Sequence, residues 1–238
     1  MGEVRSFRAN GKLLISGEYL VLLGAKALAF PLKLGQTLRI ISNNAQNISW
    51  KSDDPTGTWF SCEIAPVTFS TLQTTDPGIS TYLEKVLKAA RQLNPFFSPG
   101  PIEVITTANY PVNWGLGSSS TLIALVAVWA DVDKFRLFRL LANGSGYDIA
   151  CTDQMDLIFF QLVENIPVTE TSLPGKALLE NVCFSYLGEK QETASEISSF
   201  LAKGKANDED IERISNLSTS IATEDDPVAF CSMIYEHE

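Results

Sequence analysis

A glycine- and serine-rich stretch, residues 109–120, constrains the fold of this chain more than any other segment. Residues 102–107 before it alternate like a β-strand, and residues 121–129 after it form an unbroken apolar run of helical length. A strand, a glycine turn and a helix N-terminus in this order leave backbone N–H groups available at the positive end of a helix dipole. The stretch therefore predicts an anion site, most often a site for a phosphate.

The glycine loop, residues 115–120, supplies the groups that would contact the anion. Gly115 and Gly117 can adopt positive φ and carry no Cβ, so the backbone can approach phosphate oxygens closely. Three serines follow that can cap the helix or offer a hydroxyl to a phosphate or a metal ion, namely Ser118, Ser119 and Ser120. The alternative is an ordinary glycine–serine turn that caps a buried helix, because short glycine motifs often occur without a ligand.

The composition narrows the classes of function. The chain has 238 residues, of which 45% are hydrophobic and 19% charged, as in a globular protein with one large or two small domains. The net charge of −10, without a basic run, argues against a nucleic-acid partner. No apolar segment resembles a signal peptide or a membrane span. We therefore expect a cytoplasmic monomer or homodimer that acts on a small molecule, with no nucleic-acid or membrane partner.

Histidine and cysteine chemistry is largely excluded. His237 is the only histidine, which argues against Ser-His-Asp and Cys-His catalysis and against most histidine metal sites. The four cysteines are scattered without a CxxC pair, a distribution typical of reduced thiols. Acid–base chemistry would then depend on carboxylates or lysine.

Two further glycine-containing patches carry charged residues. In residues 10–22, Lys12 and Glu18 stand six positions apart in a predicted strand, which would place both on one face of the sheet. In residues 144–148, Asp148 follows a Gly-Ser-Gly turn at which a helix can begin. Each patch has a simpler alternative, because the strand charges can be solvated and the aspartate can serve only as a helix N-cap.

The remaining sequence predicts a β-rich first part and a mixed second part, with a boundary near residues 145–155. Strands are predicted over residues 4–8, 12–23 and 27–41, a hairpin over 47–64, and two paired strands over 157–162 and 182–187. Helices are predicted over residues 79–93, 192–201, 208–221 and 227–236.

Taken in order, the three patches resemble motifs of the GHMP small-molecule kinases, the superfamily of galactokinase, homoserine kinase, mevalonate kinase and phosphomevalonate kinase. The first motif is similar to Gly11-Lys12-Leu-Leu-Ile-Ser-Gly17-Glu18-Tyr19. The ATP-phosphate motif is similar to Pro111-X-X-X-Gly115-Leu116-Gly117-Ser118-Ser119. The segment with the catalytic aspartate is similar to Gly144-Ser145-Gly146-X-Asp148, and the string GYDIA at residues 146–150 resembles a bacterial subgroup known by those letters.

The resemblance implies a kinase that depends on ATP and Mg²⁺. It places the ATP phosphates against Pro111, Gly115, Leu116, Gly117, Ser118, Ser119 and Ser120. It implies that Ser119 binds Mg²⁺ and that Asp148 takes a proton from the acceptor hydroxyl, with Lys12 beside that hydroxyl. It also places Ser16, Glu18 and Tyr19 near the acceptor. Phosphoryl transfer needs mainly positioning and electrostatic stabilisation, so these groups would suffice without histidine.

The implied fold is the α+β, two-lobed GHMP kinase fold. It consists of an S5 domain 2-like N-terminal domain that binds ATP, here residues 1–150, and a ferredoxin-like C-terminal domain, here residues 151–238. The sequence departs from the pattern because Asp131 and Asp133 are the only acids between Ser120 and Asp148, so no residue matches the expected Mg²⁺-binding glutamate. The late glycine-rich motif is also missing, and we expect an incomplete, truncated C-terminal domain rather than an impaired site.

The motif residues favour mevalonate or phosphomevalonate as the acceptor, in isoprenoid precursor synthesis, over a sugar. Mevalonate kinases usually carry histidine where Tyr19 stands, which leaves the acceptor open. One alternative is a diphosphomevalonate decarboxylase-like enzyme, and another is a non-catalytic homologue that binds a nucleotide or metabolite. A dinucleotide-binding domain is disfavoured because Ser120 occupies the place of the third glycine.

Overall fold

The computed structural model describes residues 4–42, 46–186, 188, 200 and 206–237. The strands are β1 (Val4–Ser16), β2 (Ala27–Ser42), β3 (Ile48–Asp54), β4 (Gly57–Ile64), β5 (Thr71–Thr74), β6 (Ile102–Ala108), β7 (Leu157–Val163) and β8 (Ile166–Ser172). The helices are α1 (Pro77–Leu93), α2 (Ser118–Ala130), α3 (Lys134–Leu141), α4 (Tyr147–Ala150), α5 (Lys176–Asn181), α6 (Asp208–Thr223) and α7 (Pro227–His237). Short 3₁₀ turns lie at Leu20–Leu23, Val112–Trp114 and Cys151–Asp153.

The chain divides into two compact units, each assembled from separate stretches of sequence. The described residues before Lys12 belong with Lys33–Ala142 in the first unit. Lys12–Leu32 belong with the described residues after Ala142 in the second unit. Strands β1 and β2 therefore each contribute residues to both units.

The sheet of the first unit has the strand order β5-β4-β3-β6-β2. Strand β6 pairs antiparallel with β2, from Gln36↔Ala108 to Ser42↔Ile102, and parallel with β3. Helix α2 packs on this sheet, because the Trp129 ring lies 6.3 Å from that of Trp50 on β3. Phe97 meets Trp129 edge-on with the ring centres 5.0 Å apart, and Trp50 is 2% exposed. The apolar run after the glycine loop is therefore a core helix.

In the second unit, the first residues of β2 pair antiparallel with β7, and β7 pairs antiparallel with β8. Its core joins Leu28 of β2 and Leu157 of β7 to Leu178 of α5, and to apolar residues of α6 and α7. Helix α6 begins with a capping box in which the Asn207 side chain accepts from Asp210 N–H, and Asp210 accepts from Asn207 N–H. Residues from both ends of the sequence thus build one core.

Several predicted elements are confirmed. Strand β2 and the helices α1, α6 and α7 lie within a few residues of the predicted bounds. The predicted hairpin is β3 paired antiparallel with β4, with Asp54↔Gly57 at the turn. Of the helix predicted over residues 192–201, all but Phe200 lies outside the described residues.

The predicted pairing of residues 157–162 with residues 182–187 is wrong. Strand β7 instead pairs with β8, through a tight turn in which Glu164 and Asn165 both have positive φ, 51° and 63°. Strand β8 is exposed or half-buried along its whole length, so it lacks the alternating pattern that marks a half-buried strand. Residues 182–186 carry no helix or strand, and residue 187 lies outside the described residues.

No helix in the described part of the chain combines the length and the apolar character that crossing a bilayer requires.

Candidate active site

The glycine loop has the backbone that the sequence predicts. Gly115 ends the 3₁₀ turn at Val112–Trp114 with φ 77°, and Gly117 has φ 93° as the N-cap residue of α2. A side chain at either position would be strained, because L-residues rarely adopt this conformation. Pro111 starts the 3₁₀ turn, and its carbonyl accepts a hydrogen bond from Trp114 N–H at 3.0 Å.

The first turn of α2 presents its amide groups without a side-chain cap. The first helical hydrogen bond runs from Thr121 N–H to the Gly117 carbonyl, at 2.9 Å. The amides of Ser118, Ser119 and Ser120 therefore have no acceptor within the helix. None of the three serines, which could have capped α2, does so: Gly117 is the N-cap residue, and the Ser120 hydroxyl donates to the Gly117 carbonyl at 2.8 Å. Ser119 is exposed, so its hydroxyl is accessible to a ligand.

Buried polar side chains between the glycine loop and the sheet stabilise the loop, and they were not predicted from the sequence. Thr121 is fully buried, and its Oγ1 lies 2.9 Å from Gln36 Oε1 and 3.1 Å from the Gly117 carbonyl oxygen. Gln36 on β2 is 4% exposed, so this contact ties the helix N-terminus to the sheet. Burial raises the pKa of Tyr110, beside Thr121, to about 12 and keeps its hydroxyl protonated.

Strand β1 and the β3–β4 turn also contact the loop region of the first unit. A Cβ at Gly11 would lie 2.7 Å from the Leu116 carbonyl oxygen and 2.9 Å from that of Leu34, so only glycine fits there. Val112 N–H donates to Asp54 Oδ2 at 3.1 Å. Close packing therefore explains why position 11, before Lys12, is a glycine, and the motif alone does not reveal this.

The donors available to Mg²⁺ are few. Asp131 is the C-cap residue of α2, about 20 Å from the glycine loop by the rise of a 13-residue helix. Asp133 is the N-cap of α3 and accepts from Arg136 N–H at 2.7 Å. No cluster of three or more His, Cys, Asp or Glu that suits a metal occurs among the described residues. The Ser119 hydroxyl fits an ion held mainly by nucleotide phosphates, as Mg²⁺ commonly is.

In the second unit, tertiary folding brings Lys12 of β1 to the residues of α4. Gly146, with φ 89°, is the N-cap residue of α4, so the alternative that Asp148 is the N-cap is wrong. Lys12 Nζ lies 5.4 Å from the centre of the Tyr147 ring. Burial acts to lower the pKa of Lys12, but the hydrogen bond and charge of Tyr147, the charge of Asp148 and the thiol of Cys151 outweigh it, so the pKa is raised. Lys12 therefore stays cationic close to a carboxylate.

Residues 16–19 contain the other predicted site residues, and we call them the acceptor segment because the resemblance implies that they lie near the acceptor. Strand β1 ends at Ser16 and Gly17 has φ 88°, so Glu18 lies outside the strand. The prediction that Lys12 and Glu18 share a strand face is therefore wrong, and Glu18 is exposed. Tyr19 has φ 61° and ψ −47°, and Leu20 N–H donates to the Glu18 carbonyl at 2.7 Å, which makes a γ-turn. Such strain in a non-glycine residue often marks a functional segment.

Helices α6 and α7 hold the acceptor segment in place. The Ser16 hydroxyl donates to Ser218 Oγ at 2.8 Å, and both residues are buried. Gly17 N–H donates to His237 Nε2 at 2.9 Å. The Tyr19 ring stacks on that of Phe200, with the centres 5.0 Å apart. These partners lie near the far end of the sequence, and no local signal marks them.

Solved structures show where this architecture recurs. The Methanococcus jannaschii mevalonate kinase matches with a TM-score of 0.63 at 14% identity, over 100% of this chain and 77% of that one. A Streptococcus pneumoniae phosphomevalonate kinase, solved with phosphomevalonate and AMPPNP, matches with a TM-score of 0.63 at 15% identity, over 98% and 78%. A Lactococcus lactis galactokinase, solved with galactose, matches with a TM-score of 0.57 at 16% identity, over 97% and 71%.

This chain has the GHMP kinase fold. No family model matches the sequence, and no curated protein matches it significantly. The α+β fold predicted from the three motifs is therefore confirmed by structure. At these identities the match shows the fold alone.

Proposed function

We propose that this chain is an ATP-dependent kinase of the GHMP type that phosphorylates a small alcohol or a phosphate monoester. Mevalonate and phosphomevalonate are the favoured acceptors, which would place the reaction in isoprenoid precursor synthesis. The observation that carries the proposal is that folding brings Lys12 close to Asp148, two residues far apart in sequence that the GHMP resemblance pairs. Against the effect of burial, Tyr147 and, after it, the charge of Asp148 raise the pKa of Lys12. The phosphomevalonate kinase with the similar fold was solved with an ATP analogue, which supports ATP as the donor.

Each proposed role follows from the chemistry of the group. The amides of residues 115–119 would stabilise the negative charge of the ATP phosphates, as helix N-termini do. Asp148 would take the proton of the acceptor hydroxyl, and the Lys12 ammonium would stabilise the oxyanion that forms. Mg²⁺, held by Ser119 and the nucleotide phosphates, would neutralise phosphate charge. Ser16, Glu18 and Tyr19 would contact the acceptor, with Glu18 orienting it.

A second candidate is a non-catalytic homologue that binds a nucleotide or metabolite. It is favoured by one observation: neither acid between Ser120 and Asp148 lies at the N-terminal end of α2, where a magnesium ligand would be needed. A decarboxylase of the diphosphomevalonate type would use the same fold and the same aspartate. The domain assignment, residues 1–150 for ATP and 151–238 for the second domain, remains part of this proposal.

The deciding experiment measures ADP release from ATP and Mg²⁺ with mevalonate, phosphomevalonate, homoserine or galactose as acceptor. We expect ADP release that depends on mevalonate or phosphomevalonate, above the rate without acceptor. ADP release with CO₂ from diphosphomevalonate would indicate the decarboxylase. Calorimetric binding of ATP without turnover on any acceptor would indicate the non-catalytic homologue, and absence of ATP binding would contradict all three.

A further inference from the structure

The ammonium of Lys12 has a neighbour that the motif comparison does not assign. Tyr147, the first residue of α4, places its ring centre 5.4 Å from Lys12 Nζ. Both side chains are half-buried, so the lysine charge has lost part of its water. A partly desolvated ammonium needs a compensating partner, and an aromatic ring with a hydroxyl can offer both a π face and a hydrogen-bond acceptor.

The Tyr147 hydroxyl suits this role because it remains neutral. Burial raises the pKa of Tyr147, and the nearby Lys12 charge offsets this only in part. Near neutral pH the protonated phenol accepts a hydrogen bond from the Lys12 ammonium, and at higher pH the charge of the ionised phenol also stabilises that ammonium; both effects of Tyr147 raise the pKa of Lys12. The groups that face Lys12 are Tyr147 and Asp148 of α4 and the thiol of Cys151 in the next turn.

We propose that Tyr147 is the positioning residue of Lys12, holding its ammonium at a fixed place near the Asp148 carboxylate. This inference rests on the kinase function proposed above. A lysine side chain is long and flexible, and an unheld ammonium would occupy several rotamers. Because Tyr147 and Asp148 are adjacent in one short helix, the partner of the cation and the candidate base are fixed together.

The direct test is a titration of Lys12 by NMR in isotope-labelled protein, with the signal assigned by its loss in Lys12→Met. In Tyr147→Phe, which removes only the hydroxyl, we expect the titration midpoint of Lys12 to move to lower pH by about one unit. Tyr235→Phe is the matched control, because Tyr235 is 86% exposed on α7. An unchanged midpoint in Tyr147→Phe would overturn the proposal. This measurement does not require turnover, so it decides the inference even if no acceptor is phosphorylated.

A kinetic measurement tests the link to catalysis. We expect Tyr147→Phe to lower kcat roughly tenfold at an unchanged KM for ATP, and to move the alkaline limb of the kcat profile to lower pH. A changed Lys12 midpoint with an unchanged kcat would overturn the positioning role. If Tyr147→Phe fails to fold, Lys12→Met with an absorbance titration of the phenols replaces it, and the Tyr147 midpoint should rise. A phenol midpoint equal to that of the unaltered protein would then contradict the contact.

Discussion

The glycine loop of the first unit and the acceptor segment of the second unit differ in how much of their hydrogen bonding is local in sequence, although the loop also has distant support from Gln36. In the loop, Gly117 accepts from Thr121 and Ser120, all within one helical turn. In the acceptor segment, Ser16 bonds Ser218 and Gly17 bonds His237 across nearly the whole sequence. The comparison teaches that the backbone of the proposed phosphate site is set mainly by a dozen neighbouring residues, whereas the proposed acceptor site depends on the completed tertiary fold.

The largest expected effect separates the proposed chemistry of the second unit from the proposed phosphate binding of the first. Asp148→Asn keeps the size of the side chain but removes the proposed general base. We expect kcat to fall on the order of 10²-fold or more, while the calorimetric affinity for ATP is retained. Asp156→Asn, a change at an exposed acid of the same unit, should leave kcat unaltered. Wild-type turnover in Asp148→Asn would remove Asp148 from the mechanism.

A change in the glycine loop should give the opposite pattern. Gly117→Val places a β-branched residue at φ 93°, where strain of about 1–3 kcal/mol opposes the native backbone. We expect the affinity for ATP to fall roughly tenfold or more, since each 1.4 kcal/mol is about a factor of ten.

Gly57→Val is the control for this experiment. Gly57 has φ 121° in the β3–β4 turn, and no atom lies within 4 Å of its added Cβ. It should lower the melting temperature through similar strain but leave ATP affinity unchanged. If Gly117→Val binds ATP normally by calorimetry, the phosphates lie elsewhere.

The sequence predicts the first region well because its information is local. Positive φ at Gly115 and Gly117 and a helix that begins directly after them follow from glycine chemistry and the apolar run. The support from Gln36 and Thr121 could not be predicted, because a buried polar contact between a strand and a helix leaves no periodic pattern. Asp131 and Asp133 could be found in the sequence, but only the helix geometry shows that they lie far from the loop.

The second region was predicted less well, for physical reasons. Gly17 turns the chain out of β1, so the period-two argument that joined Lys12 to Glu18 does not apply. Strand β8 was not predicted because Pro167 argues against a strand, and because its residues are exposed or half-buried on both faces and so show no alternating apolar pattern. The roles of Ser218 and His237 depend on the packing of α6 and α7, which the sequence near residues 16–19 cannot reveal.

The smallest expected effect tests whether the acceptor segment depends on its distant partners. Ser218→Ala removes the buried acceptor of the Ser16 hydroxyl, and both residues are 1% exposed or less. Urea unfolding should show a loss of about 1 kcal/mol, because a buried hydroxyl loses its hydrogen bond. The KM for the acceptor should rise a few-fold while the KM for ATP stays constant, since the glycine loop does not use this contact.

Ser232→Ala is the matched control for Ser218→Ala. Ser232 is exposed on α7, and its hydroxyl donates to the Val228 carbonyl of its own helix. Ser232→Ala should change the free energy of unfolding by no more than a few tenths of a kcal/mol, and it should leave the KM for the acceptor and the KM for ATP unchanged. Equal effects of Ser218→Ala on the two KM values would mean that the helix contact stabilises the fold without shaping the acceptor site. In that case the distant contacts of the acceptor segment would matter for the stability of the fold but not for binding of the acceptor.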